Sequence, residues 1–249
     1  MLSEKEKKSI IRKIFEGSIT LHNLPKNLYE ATVSKLLEAL DEGFGKYKND
    51  ALYNELSTNI YIFSGAKTYT QVKDISSLIL DGSKLRPFNE FKKLASEKYD
   101  LYNKTYLETE YHTAIGQAQS AVKWQEIVAS KADFPYLQRK AVMDKVTSPD
   151  CALLNDIIAP VDSPIWATRS PLTHFRCRCI LTKIDRFDDV RLSSSREIKE
   201  AMKATEGINP LFKGNPGVDK VVFNKSHPYF DVEKNDKKFA LNNFNLPIK

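Results

Sequence analysis

From the N-terminus to about residue 130, apolar positions recur three and four residues apart, the period of helices that bury one face. Ile10, Ile11 and Ile14 lie on one side of a charged segment from Glu4 to Glu16, which predicts a first helix. After Pro25, a stripe of Tyr29, Val33, Leu36, Leu37 and Leu40 ends near Gly43 and Gly45 and predicts a second. A third spans about Asn49 to Phe63, and a fourth runs from Thr68 to Leu80 and stops at Asp81-Gly82. Arg86-Pro87 opens a long helix that reaches about Ser130, proline being suited to a first helical turn. Within it, Ala114, Gly116, Ala118 and Ala121 make part of the surface small enough for close approach, while Val122, Trp124 and Ile127 supply bulk.

The pattern changes at Asp133. Tyr136 to Met143 and Phe175 to Thr182 are rich in branched, aromatic or cysteine residues and read as strands, joined by a proline-rich link that carries Trp166. A small sheet against the long helix makes an α+β fold, in which an N-terminal helical region leads through the long helix into a small β-containing Cys/His core. Further on, Ser194 to Thr205 predicts a helix, Asn215-Pro216-Gly217 a turn and Val221 to Phe223 an edge strand. The chain therefore divides into a helical region (1–130), the core (131–184) and a C-terminal extension (185–249) packed on it.

Composition narrows the function classes only slightly. At 249 residues, with 41% hydrophobic and 28% charged residues, the chain can bury a substantial core. Its net charge of +6 permits contact with a polyanion and does not demand it. No apolar run approaches the roughly 20 residues that span a bilayer, so no membrane partner is expected. The N-terminal segment lacks a continuous apolar signal core, which places folding in a cytoplasm where thiols stay reduced.

Chemistry concentrates between Asp144 and Cys179, which holds all three cysteines. Cys151 follows Ser148-Pro149-Asp150, and His174, Cys177 and Cys179 form an H-x-x-C-x-C step. Three thiols and one imidazole are the right donors for a structural Zn2+ in a closed tetrahedral shell, the one cofactor this donor set suggests. In an extended segment Cys177 and Cys179 share a face, with Arg176 and Arg178 pointing away and offsetting the negative charge of such a site. The competing reading is three buried reduced thiols acting as small hydrophobes, with His174 hydrogen-bonded. An odd count with an adjacent C-x-C pair argues against a disulfide framework. Trp166 reads as a packing anchor beneath this cluster.

These residues resemble the core motif of the phage Mu-type minor head protein (head morphogenesis) family. The resemblance is carried by Asp144, Ser148-Pro149-Asp150-Cys151, Leu154-Asn155-Asp156, Val161 to Trp166, Pro171-Leu172-Thr173-His174 and Cys177-Arg178-Cys179. The helix of Thr109-Glu110 to Ala114 and the N-P-G and H-P-Y steps of the tail extend it over about Tyr106 to Phe230. Two positions depart from the pattern: Ser148 replaces a frequent cysteine, and Asn155-Asp156 stands where Asp-Gly is usual, a turn that Asn and Asp also tolerate. The resemblance implies a non-enzymatic virion protein, present in host cytoplasm during assembly, whose partners are portal and capsid proteins. Asp144 and Trp166 would then be structural. Sequence-independent contact with packaged double-stranded DNA would fall to Arg169, Arg176, Arg178, Arg186 and Arg191.

Two other classes compete with this reading. A zinc-dependent nucleic-acid-processing enzyme or toxin needs an open coordination position and a nearby acid or base. The deaminase signature is absent, since His174 is followed by Phe175-Arg176, and no Walker, G-x-G-x-x-G or G-x-S-x-G motif occurs. Glu110 and His112, two residues apart on a helix, do not face each other, so hydrogen bonding or surface placement is expected of both. A zinc-stabilised nucleic-acid-binding protein would need a strongly basic helix face, and none of the predicted helices carries one. His227, held extended before Pro228, is a weak further candidate ligand.

Overall fold

A computed structural model describes residues 2–248 of the chain. Helix α1 (Glu4–Phe15) starts at a reciprocal capping box between Ser3 and Glu6 and buries Ile10, Ile11 and Ile14, as its pattern predicts. Helix α2 (Lys26–Phe44) follows, and α3 (Asp50–Ser76) joins the predicted third and fourth helices into one of 27 residues. Gly65 in its interior costs about 1 kcal/mol relative to alanine. Burial of Ile60, Phe63, Tyr69 and Val72 on either side outweighs that cost. A tight hairpin, β1 (Leu80–Asp81) and β2 (Lys84–Leu85), turns at Gly82 with φ +60°. The predicted long helix is realised as α4 (Phe88–Asp100), a π-helical segment (Leu101–Tyr106) and α5 (Leu107–Ala129) in direct succession.

Beyond α5 come β3 (Tyr136–Lys140), α6 (Pro149–Leu153), β4 (Ile158–Pro160), α7 (Ile165–Thr168) and β5 (Ile180–Ile184). The remainder holds α8 (Ser195–Ala204), α9 (Pro216–Asp219), α10 (Lys237–Leu241) and short 3-10 turns. The three longer-range strands form one antiparallel sheet in the order β4-β3-β5, so the α+β expectation holds. The strand predicted from Phe175 begins only at Ile180, because the preceding residues are used for a turn around the thiols. β4, three residues ending in proline, was not predicted; it is too short to show an alternation. Val221 to Phe223 is not a strand, and Asn215-Pro216-Gly217 starts the short capped helix α9.

The chain forms two compact units. The first comprises the chain up to Glu42, Asn54–Ala114 and the tail from His227; the second comprises Gly43–Tyr53 and Ile115–Ser226. The division runs through α5, with residues 185–226 in the unit of the sheet and the tail from His227 in the unit of the helices. In the first unit, Lys67 and Glu110 form a buried ion pair, and Tyr229 donates to Glu110 at 3.0 Å. Burial pushes the Glu110 carboxyl up and the Lys67 ammonium down from their ordinary values, each opposed by the partner's charge. In the second unit, Leu137, Ala159 and Leu181 of the sheet pack with Ile127, Leu154, Ile165, Trp166 and Phe212 in one apolar core.

Candidate metal centre

The cysteines and His174 lie in the second unit, positioned by three local devices. Ser148, at the place where the resemblance leads one to expect a cysteine, caps α6: its hydroxyl accepts from the Cys151 amide at 3.3 Å, with Pro149 at the first helical position. Asn155 then accepts the Ala141 amide at 2.9 Å, and Asp156 takes the left-handed conformation (φ 62°), so the departure from Asp-Gly keeps the turn. The H-x-x-C step closes on itself through a bond from the Cys177 amide to the His174 carbonyl at 3.2 Å, with Arg176 left-handed (φ 57°). From Cys177 to Leu181 burial alternates, so Cys177 and Cys179 point inward and Arg178 outward without a regular strand.

Cys151 Sγ lies 3.2 Å from His174 Nε2 and 3.7 Å from Cys177 Sγ, and these three donor atoms all lie within 4.8 Å of one another. Cys179 is buried in the same small cluster, but its thiol is not one of the three donor atoms that converge. All three thiols are free and buried, and 3.7 Å is far beyond the length of a disulfide. Two thiolates about 2.3 Å from one tetrahedral ion would stand roughly 3.8 Å apart. Cys151, Cys177 and His174 therefore fit three donors of a zinc ion. The imidazole fits as well: Nδ1 lies 2.7 Å from the Phe175 carbonyl, which only accepts, so Nδ1 carries the proton and Nε2 keeps its lone pair toward the thiols. Hydrogen bonds from Cys177 and Cys179 pull the Cys151 thiol below its ordinary value, and the same bonds, with burial, push Cys179 up. The Cys151 thiolate is thus favoured over that of Cys179.

The sequence reading missed Arg139, a buried cation beside the thiols. Its side chain is fully buried on β3. It donates to the Arg169 carbonyl at 2.7 Å and to Thr173 Oγ1 at 3.1 Å, and it lies 3.8 Å from Cys151 Sγ. Its Nε has no partner, and among the described residues no carboxylate pairs with the guanidinium. The charge next to it is that of the thiol group. A centre of three thiolates, one neutral imidazole and Zn2+ carries a net charge of minus one, which one guanidinium balances. Strand alternation contains a signal for this residue, because Arg139 shares the inward face with Leu137.

The five arginines assigned to DNA are placed differently from one another. Arg169 is buried and corrects its assignment: its guanidinium donates to Thr205 Oγ1 at 2.8 Å and to the Met202 and Thr168 carbonyls, so it offers nothing to a phosphate. Arg178 grips Asp144 through two bonds of 2.7 and 2.8 Å and holds that carboxyl well below the usual carboxylate range. Arg191 pairs with Glu197 at 2.6 Å, and Arg186 lies 3.7 Å from Asp133. Arg176 is exposed. Trp166 is buried in the apolar core, its indole donating to the Pro160 carbonyl at 2.8 Å. It anchors packing as expected, but in that core and not in the separate cysteine cluster. His227 belongs to the first unit, where it packs against Phe63 and Tyr229. Glu110 is hydrogen-bonded and His112 exposed.

Comparison with known proteins falls on this region. The family model described as Phage Mu protein F like protein matches residues 68–182. A relative, "Putative capsid assembly protein F" of Escherichia phage Mu, is 29% identical over 84 residues, which are 34% of this chain and 19% of the relative. The chain thus matches about a fifth of that relative's length. No solved structure matches the chain. Among the described residues, no helix is long and apolar enough to cross a membrane.

Proposed function

We propose that the chain, whose residues 68–182 match the family model described as Phage Mu protein F like protein, is a minor head protein that acts in capsid assembly near the portal. The observation that carries this reading is the coincidence of the matched segment with the Cys/His cluster and the sheet that frames it. The relative's description as a capsid assembly protein supports it. Its partners are then portal and capsid proteins, and its location is the virion, after assembly in host cytoplasm.

The role of the cluster in this reading is structural. Cys151, His174, Cys177 and Cys179 would hold a zinc ion that ties the α6 segment to the start of β5, with Arg139 balancing the charge. When bound, such an ion supplies folding energy to the site and no reaction. Contact with packaged DNA falls first to Arg176. Arg178, Arg186 and Arg191 reach a phosphate only by exchanging a carboxylate partner.

Co-expression of the affinity-tagged chain with the head proteins of its phage tests the assembly role. Recovery of portal or capsid protein is expected, and a failure to recover either from assembling heads refutes it. Elemental analysis is expected to give about one zinc per chain, lost in the Cys177→Ser, Cys179→Ser double variant. Retention of zinc by that variant would show the donor assignment to be wrong. The Arg176→Ala, Arg178→Ala variant should bind any duplex more weakly, with the salt slope reduced by about one per lost contact; an unchanged slope rejects the DNA contact.

A further inference from the structure

The second unit holds a groove of about 670 Å³, within the range of roughly 300–1,000 Å³ typical of ligand clefts. One wall is the face of α5 formed by Gly116, Ser120, Trp124 and Ile127; the other is β5 with Leu181 and Lys183. β5 is an edge strand, paired on one side with β3. The ladder fixes which of its backbone groups are free. The Arg139 amide donates to the Ile157 carbonyl at 3.0 Å, and its carbonyl accepts from Asp156 at 2.8 Å, so the odd positions of β3 face away from β5. The even positions Tyr136, Gln138 and Lys140 therefore bond Ile184, Thr182 and Ile180. This turns the N–H and C=O groups of Leu181 and Lys183 outward, and among the described residues neither has a hydrogen-bond partner for them.

The charged residues lining the groove are Lys123, Arg178 and Lys183, with no carboxylate. Arg178 and Lys123 have carboxylate partners in Asp144 and Glu126, whereas Lys183 donates to the Ser130 hydroxyl at 3.0 Å and lies over the Phe134 ring. A lysine on an open edge deters pairing with a like strand and favours an acidic one. Alternating outward donors and acceptors match a peptide backbone, whereas a phosphodiester chain supplies acceptors alone.

We propose that this groove takes an extended peptide segment of another head protein, acidic and apolar at alternating positions, which adds to the outer edge of β5 as a fourth strand. About five to six residues would span β5 at roughly 3.4 Å each. The origin of the peptide rests on the assembly reading; the strand addition itself does not.

The test is amide hydrogen exchange on the full chain, with a capped hexapeptide alternating valine and aspartate as probe at about millimolar concentration. The amides of Leu181 and Lys183 should exchange rapidly in the free chain and slow at least about tenfold with the peptide. Those of Ile180, Thr182 and Ile184 should be slow in both states. Lys183→Pro removes one outward N–H at a position where an edge strand accepts proline; it should abolish the response while the Thr182 amide, still slow, shows that the sheet persists. Lys183→Glu should reverse the preference toward a peptide with lysine in place of aspartate. No slowing at Leu181 and Lys183, or slowing that survives Lys183→Pro, overturns the proposal. An equal response to the lysine peptide overturns its acidic specificity, and equal protection by a short DNA duplex overturns its peptide class. Strand addition by the peptide with no capture of portal or capsid protein would reject the assembly reading and leave the groove assignment intact.

Discussion

Replacing Arg139 with methionine keeps most of the apolar length of the side chain and removes its charge and its donors. The buried Arg169 carbonyl loses its donor, at about 1–3 kcal/mol, and Thr173 Oγ1 loses one partner at a smaller cost, since it keeps its contacts to the Cys151 and Cys177 thiols. With burial of the methionine offsetting part of this, the metal-free chain should lose about 1–3 kcal/mol. The larger consequence is for metal. A unit charge 3.8 Å from the guanidinium interacts by about 4 kcal/mol at an effective dielectric of 20, and by about half that when spread over the donor group. Loss of about 2–4 kcal/mol corresponds to about 30- to 1,000-fold weaker zinc binding. The assay is zinc titration against a competing chelator, with Arg139→Lys and Thr173→Val as controls. Arg139→Lys keeps the charge and should recover part of the affinity, and Thr173→Val removes the hydroxyl's contacts to Arg139, Cys151 and Cys177 but keeps the guanidinium charge and should cost less. Zinc affinity within threefold of the parent in Arg139→Met would refute the charge-balance argument.

Other consequences are independent of the metal. In the first unit, Lys67→Met leaves Glu110 buried without its cation and should cost about 3–5 kcal/mol by denaturant melting, whereas Lys67→Met with Glu110→Leu should lie close to the parent; equal loss in both variants would refute this. At α8, Arg191 and the Ser194 cap hold Glu197 down to about 2, below its ordinary 4.5. A depressed folded value means that the cap contributes fully above pH 4.5 and is lost as pH falls through about 2, which carboxyl titration and exchange of the Glu197 amide would follow. A side chain at Gly43 would meet the Ile115 carbonyl at 2.7 Å as well as the Ala118 methyl, while one at Gly116 would meet only the movable end of Leu172 at 2.7 Å. Gly43→Ala should therefore lower the melting temperature more than Gly116→Ala, and the reverse order would contradict the packing described.

Periodicity alone determined the first two helices, because a buried helix face imprints its spacing directly on the sequence: the stripes of Ile10 to Ile14 and Tyr29 to Leu40 mark α1 and α2. Donor chemistry likewise singled out Cys151, His174, Cys177 and Cys179, since thiols and imidazoles in that order are scarce enough to signal themselves, and the fold draws the donor atoms of the first three together. The gap between the third and fourth predicted helices was misleading because a mid-helix glycine carries a local cost that tertiary burial overrides. Only the tertiary structure decided the electrostatics. The arginines adjacent to the thiols in sequence, Arg176 and Arg178, are exposed, and the guanidinium buried beside Cys151 is that of Arg139, twelve residues before it and on another element. Whether an arginine is buried against a site or exposed to a phosphate depends on which side of a strand or turn meets the core. That orientation is fixed by pairing between segments distant in the chain, so Arg169 and Arg139 were read correctly only once β3, β4 and β5 were assembled.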